Sequence, residues 1–156
     1  MIEYVTMGLV GALLIALSSL ISYEMLRFTW TTLPKLTIHP RLRALWMMGP
    51  IFLTHIICIW LYAIATYLVI GYTDLGTLEL AKSAKNVPDF ILCLYYSAMV
   101  YTTVGFGDII PTKGMEMLAA VESLNGLVMI GWSVSFTYLA MERFWDMPHH
   151  NARQKN

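Results

Sequence analysis

Read as apolar and polar positions, the chain divides into three long apolar runs separated by stretches that carry its charged residues. Tyr4 to Tyr23 carries no charged side chain, and Ala44 to Thr73 is free of Lys, Arg, Asp and Glu. Ser123 to Met141 is the third such run, and its helix is expected to begin earlier, near Met115. A bilayer core takes about 20 apolar residues per helix, so each run predicts a membrane span. The N-terminal sequence MIEYVTM has no Lys or Arg, and no small-x-small site follows the first run. That run therefore reads as a span rather than a cleaved signal peptide. A fourth apolar stretch, Val87 to Tyr101, is too short to cross. Pro88 suits a first helical turn and Asp89 complements the positive end of a helix dipole. The stretch predicts a short helix that Thr102 to Asp108 brings to an end.

Composition sharpens this pattern. Of 156 residues, 58% are hydrophobic and 13% charged, where soluble domains carry about 25% charged residues. The formal net charge is zero, which gives no sign of a nucleic-acid partner. Cys58 and Cys93 both sit in apolar runs and read as small buried hydrophobes. Arg27, Lys35, Arg41 and Arg43 follow the first span, and Arg143, Arg153 and Lys155 follow the third. Between the second and third spans Lys82, Lys85 and Lys113 are set among Asp74, Glu79, Asp89, Asp108 and Glu116. The excess of basic residues predicts a cytoplasmic first loop and C-terminus, with the N-terminus and residues 72–114 outside. Tyr4, Trp30, Trp46, Tyr72 and Trp145 stand near the run ends, where interfacial aromatics anchor. The short helix and the segment after it must then enter and leave on one side, as a re-entrant unit.

TTVGFGD, Thr102 to Asp108, gives that unit its chemistry. Irregular backbone survives at membrane depth only where protein covers it or water reaches it. An extended strand turns its carbonyls alternately to opposite sides. Aiming successive carbonyls one way needs left-handed torsions at alternate residues, which glycine adopts without a Cβ clash. Gly105 and Gly107 stand at that alternation. The expected product is a ladder of carbonyls from Thr103, Val104, Gly105 and Phe106, with the Thr103 hydroxyl beneath, replacing a cation's water shell. One strand cannot surround an ion, so the chain is expected to close a ring of copies.

These residues resemble the selectivity filter of potassium channels, whose usual form has Tyr or Phe between the glycines. Tyr95-Tyr96-Ser97 resembles the paired aromatics and small residue that brace that filter, and Pro111 follows at the family's offset. Gly126 is similar to its hinge glycine. The resemblance covers roughly Ala44 to Met141 and is nearest to small prokaryotic channels with a minimal pore module, here preceded by one extra helix. It implies an all-α integral membrane fold: three transmembrane helices, a re-entrant pore helix and a filter loop, assembled as a homotetramer in the cell membrane, with K⁺ as the permeant ion. It divides the chain into a helix and basic loop (1–43), a pore domain (44–141) and a short cytoplasmic tail (142–156). Gly107, Asp108, Tyr95, Tyr96, Ser97 and Thr102 are then filter supports. Two departures stand out: Met99 occupies a position where many members carry a carboxylate, which leaves Asp108 without that partner, and Tyr95 and Tyr96 replace the commoner Trp.

Other residues are weighed singly. Glu122 lies about one turn before Gly126, and an ionisable group at that depth is a functional site by default. A hydrogen-bonding support for Ser97 or Thr102 and a gating role both remain open for it. Helical spacing from Gly126 brings Ile130, Val134, Thr137 or Tyr138 toward the ion path as gating candidates. Glu24 is expected to pair with Arg27, His55 to make a neutral helix–helix contact, and His149-His150 to be solvated. Gly8, Ala12 and Ala16 form a small-residue stripe on the first helix. No span carries the repeated Arg of a voltage sensor. No catalytic triad, nucleotide loop or metal-ligand cluster is visible, so an enzyme is not expected. A regulatory domain could come only from a separate subunit. The competing readings are a weakly selective cation channel and a non-conducting membrane subunit with the same fold.

Overall fold

The computed structural model describes residues 1–37, 39–80 and 89–144. The first apolar run folds into helix α1, Ile2–Thr32, longer at both ends than the uncharged run. At 1.5 Å per residue it extends roughly 46 Å, so its last turns reach past a hydrocarbon core of about 30 Å. Glu24 and Arg27 lie in those turns and form the expected pair at 3.7 Å, both more than half exposed. A 3-10 turn, Leu33–Lys35 with Pro34 near its start, ends the helix. The second run becomes α2, Pro40–Tyr72, and the third becomes α4, Met115–Phe144. Among the described residues these three helices are long and apolar enough to cross a membrane. The short stretch becomes α3, Phe90–Tyr101. Its N-cap is Asp89, whose Oδ1 accepts from Ile91 N at 3.1 Å, the satisfaction of an orphan amide that a helix start requires. Val87 and Pro88 lie outside the described residues, as do Lys82, Lys85, Trp145, His149, His150, Arg153 and Lys155.

Helix α1 turns one seam inward: Met7, Gly11, Leu14, Ser18, Ser22, Leu26 and Thr29, each three or four residues from the last. That spacing keeps one face on the protein, and the face lies against α4 and α2. The small-residue stripe expected from Gly8, Ala12 and Ala16 is not this seam. Ala12 and Ala16 are exposed, and nothing stands within 4 Å of a Cβ placed on Gly8. The close approach is at Gly11, where a Cβ would come within 2.8 Å of Val121 Cγ1. The seam is displaced because its other members make specific contacts. Asn125 Nδ2 donates to Ser18 Oγ at 2.8 Å, and Ser22 Oγ lies 3.9 Å from Cys58 Sγ. At the far end Trp30 meets Phe136 edge-on, and the Arg143 guanidinium lies 5.2 Å over the Trp30 ring. Helix α1 therefore accompanies α4 along nearly its whole length.

Two strands join the helices, an element the sequence did not reveal. β1, Gly76–Leu80, pairs antiparallel with β2, Ile109–Lys113, with Leu80 opposite Ile109 and Gly76 opposite Lys113. β1 follows α2 and β2 follows the TTVGFGD loop directly. One core joins Met7, Leu14, Cys58, Tyr62, Leu78, Cys93, Tyr96, Tyr101, Ile109, Met115, Leu118 and Met129 beneath the sheet. A smaller one joins Leu26, Leu33, Met47, Ile51 and Ala140 at the opposite end. Cys58 and Cys93 are free and buried, as small apolar side chains in a core are.

Candidate functional site

Helix α3 stops at Thr102, whose Oγ1 turns back to Ala98 O at 2.7 Å. The next three amides also turn back. Thr103 N reaches Val100 O at 2.9 Å, while Val104 N and Gly105 N reach Met99 O at 3.0 and 3.2 Å. They satisfy the carbonyls that a helix end leaves open. Among the described residues no hydrogen bond ends on the carbonyl oxygens of Thr103, Val104, Gly105 or Phe106. The torsions alternate: φ is +60° at Thr103, +49° at Gly105 and +75° at Gly107, while Val104 and Phe106 keep negative φ. The alternation the glycines predict is present and begins one step earlier, on a threonine. A left-handed non-glycine residue carries strain of about 1–3 kcal/mol, which persists only where the surroundings impose it.

Asp108 has a partner after all. Tyr95 Oη donates to its Oδ2 at 2.9 Å, and that bond raises the Tyr95 pKa, keeping the hydroxyl proton on the donor. The tyrosine on α3 thus reaches the carboxylate for which Met99 offers no group. Tyr96 and Ser97 point the other way, into the core. There they meet Glu122, fully buried on α4, with Ser97 as a neighbouring hydroxyl of the carboxylate. Among the described residues no hydrogen bond of sound geometry closes on either Glu122 oxygen, nor on Ser97 Oγ, Tyr96 Oη or Tyr62 Oη, which leaves the Ser97–Glu122 contact a weak one. Thr102, the other partner expected for Glu122, is taken by Ala98 O.

Gly126 is pressed against the end of α3: a Cβ there would overlap the carbonyl of Tyr101. In this structure it is a contact glycine within an unbroken helix. Gly131 has nothing within 4 Å of such a Cβ. Tyr101 is also held from α2. His55 Nδ1 lies 3.1 Å from Tyr101 Oη, and His55 Nε2 lies 3.1 Å from Ser133 Oγ on α4. The expected helix–helix contact of His55 thus joins three helices at the base of the loop. Below it a groove of about 720 Å³ opens between α2 and α4, bordered by Thr102, Ile130, Val134, Thr137 and Tyr138. The four gating candidates past Gly126 therefore share one groove, while Gly126 does not border it. Sequence reasoning missed Asn125, Ser18, Ser133, Tyr101 and β1. Asn125 alone gave a signal, as an amide within an apolar run three residues after Glu122.

These parts define a class first: a membrane protein whose short helix and irregular loop sit among membrane-spanning helices. A family model described as ion channel matches residues 55–143, more than half of the chain and all of the loop with its supports. The chain belongs to this ion channel family and is not an enzyme. No curated protein and no solved structure matches it.

Proposed function

We propose that the protein is a potassium-selective channel of the cell membrane, working as a homotetramer. Four copies of the loop surround the ion path, and K⁺ replaces its water shell with the carbonyls of Thr103, Val104, Gly105 and Phe106 and the Thr103 hydroxyl. The carrying observation is the alternating handedness at Thr103, Gly105 and Gly107 beside four carbonyls that accept no hydrogen bond from the described residues. Amides committed to the helix end and carbonyls left open are what a dehydrated cation needs. In this reading the N-terminus and the sheet lie outside and the groove faces the cytoplasm, an orientation that the excess of basic residues in the first loop and C-terminal tail supports.

Flux into liposomes holding the purified protein tests this. K⁺ and Rb⁺ pass readily, Na⁺ poorly, and bi-ionic reversal potentials separate K⁺ from Na⁺. Equal permeability of the two would leave a weakly selective cation channel, and no flux a non-conducting subunit. Gly105→Ala should abolish selectivity or conduction, since a Cβ at φ +49° costs roughly 1–2 kcal/mol in each subunit.

A further inference from the structure

The two halves of the TTVGFGD loop are held differently. Thr103, Val104 and Gly105 are tied by their amides to the end of α3. Among the described residues no backbone hydrogen bond starts from Phe106, Gly107 or Asp108. The second half is fixed only where it leaves: by Tyr95 on Asp108 at 2.9 Å, and by β1 on the residues that follow. Ile109, the next residue, is already paired with Leu80.

That pairing is built to hold. Thr112 Oγ1 donates to Thr77 O at 3.2 Å, and Gly114 N donates to Leu75 O at 3.0 Å. Leu78 and Ile109 are buried in the main core, so the ladder is fastened to the helices. Gly76 admits no side chain, since a Cβ would stand 2.8 Å from Thr112 O and 2.9 Å from Met115 N. Pro111 lies opposite Leu78 and has no N–H, so this pair cannot exchange two hydrogen bonds. Alternation along an antiparallel ladder then gives the doubly bonded positions to Thr77↔Thr112 and Glu79↔Ile110, and the narrow ones to Gly76↔Lys113, Leu78↔Pro111 and Leu80↔Ile109. Glu79 is exposed, so its side chain adds little to the core while its backbone carries the bond nearest the loop.

We propose that β1 is a positioning brace for the exit of the ion path, and that its pairing with β2 sets how long the path stays conductive. The inference rests on the proposed channel function. When the ladder opens at Ile109, the second half of the loop keeps only the Tyr95–Asp108 bond, and the carbonyls of Gly105 and Phe106 lose their alignment.

The test uses the full chain in planar bilayers and reads the decay of current during sustained opening. Glu79→Pro removes one ladder donor while leaving the preceding residue in the extended region that proline favours. It should shorten the current by about threefold to tenfold, the factor matching one net hydrogen bond of roughly 1 kcal/mol. The Leu80→Cys/Ile109→Cys protein places a disulfide across a narrow pair. In the Glu79→Pro background, oxidation with copper–phenanthroline should restore persistence, and reductant should remove it again. Should Glu79→Pro fail to assemble, oxidised and reduced states of the cysteine pair alone carry the comparison. Decay unchanged by proline, or by a cross-link verified by mass, overturns the brace even in a channel that selects K⁺. A wild type without selectivity overturns the potassium reading and leaves the decay comparison in force.

Discussion

Glu122 states at one residue the conflict between stability and use. A buried polar group without a partner costs about 1–3 kcal/mol, and both oxygens of this fully buried carboxyl are unpartnered. Among the described residues its neighbours Ser97, Tyr96 and Tyr62 close no geometrically sound hydrogen bond either, so a leucine in its place gives up at most a weak contact with Ser97 while removing the buried carboxyl. Glu122→Leu should therefore leave the solubilised protein as stable as the wild type or raise its melting temperature, while altering flux. Glu122→Gln should keep the stability of the wild type. A lower melting temperature for Glu122→Leu, read by thermal denaturation beside liposome flux, would make the residue a structural support.

At the scale of elements, two glycines of α4 differ in what they do: Gly126 lets α4 meet α3, and Gly131 faces open space. Gly126→Ala puts a methyl into the Tyr101 carbonyl and must push α4 away from α3. Flux and tetramer recovery on size exclusion should both fall. Gly131→Ala meets nothing within the chain and gains about 1 kcal/mol of helix propensity, so recovery should hold or improve. Equal outcomes for the two would contradict the packing. The three spans were legible because an uncharged apolar run of bilayer length folds as a helix that crosses. The short helix was legible from its apolar run and the break at Thr102, though it starts later than the sequence suggests, with Asp89 as N-cap and Phe90 as the first helical residue. The strands were not legible. GTLEL and IIPTK are five residues each, and their pairing joins positions about 30 apart, which no local period reveals. The support of Asp108 was missed for a similar reason: Met99 drew attention to a missing carboxylate, while the tyrosine that reaches the aspartate stands four residues earlier. The role of Gly126 could not be read because close approach is a property of two helices.

For the whole molecule, the distribution of charge sets what a membrane field can do. Glu24 and Arg27 pair near one end of α1 with exposed side chains, and Glu122 is the one carboxyl buried among the described residues. Each elementary charge crossing 100 mV is worth about 2.3 kcal/mol, and steep gating moves many. Open probability in symmetrical K⁺ should therefore depend only shallowly on voltage. An activation curve equivalent to several charges per channel would refute this.

The seam between α1 and α4 also bears on how the chain is made. Of the three spans α4 is the least apolar, and it carries both Glu122 and Asn125 into the bilayer. A charged residue at a helix centre costs roughly 2.5–3.5 kcal/mol at insertion. Synthesis runs from the N-terminus, so α1 is already in the membrane when α4 leaves the ribosome. Ser18 then awaits Asn125, and Gly11 leaves room for Val121. The extra helix is in this sense a receptor for the last one, and a chain shortened from the N-terminus would present α4 to the translocon with Asn125 deprived of the Ser18 hydroxyl that meets it.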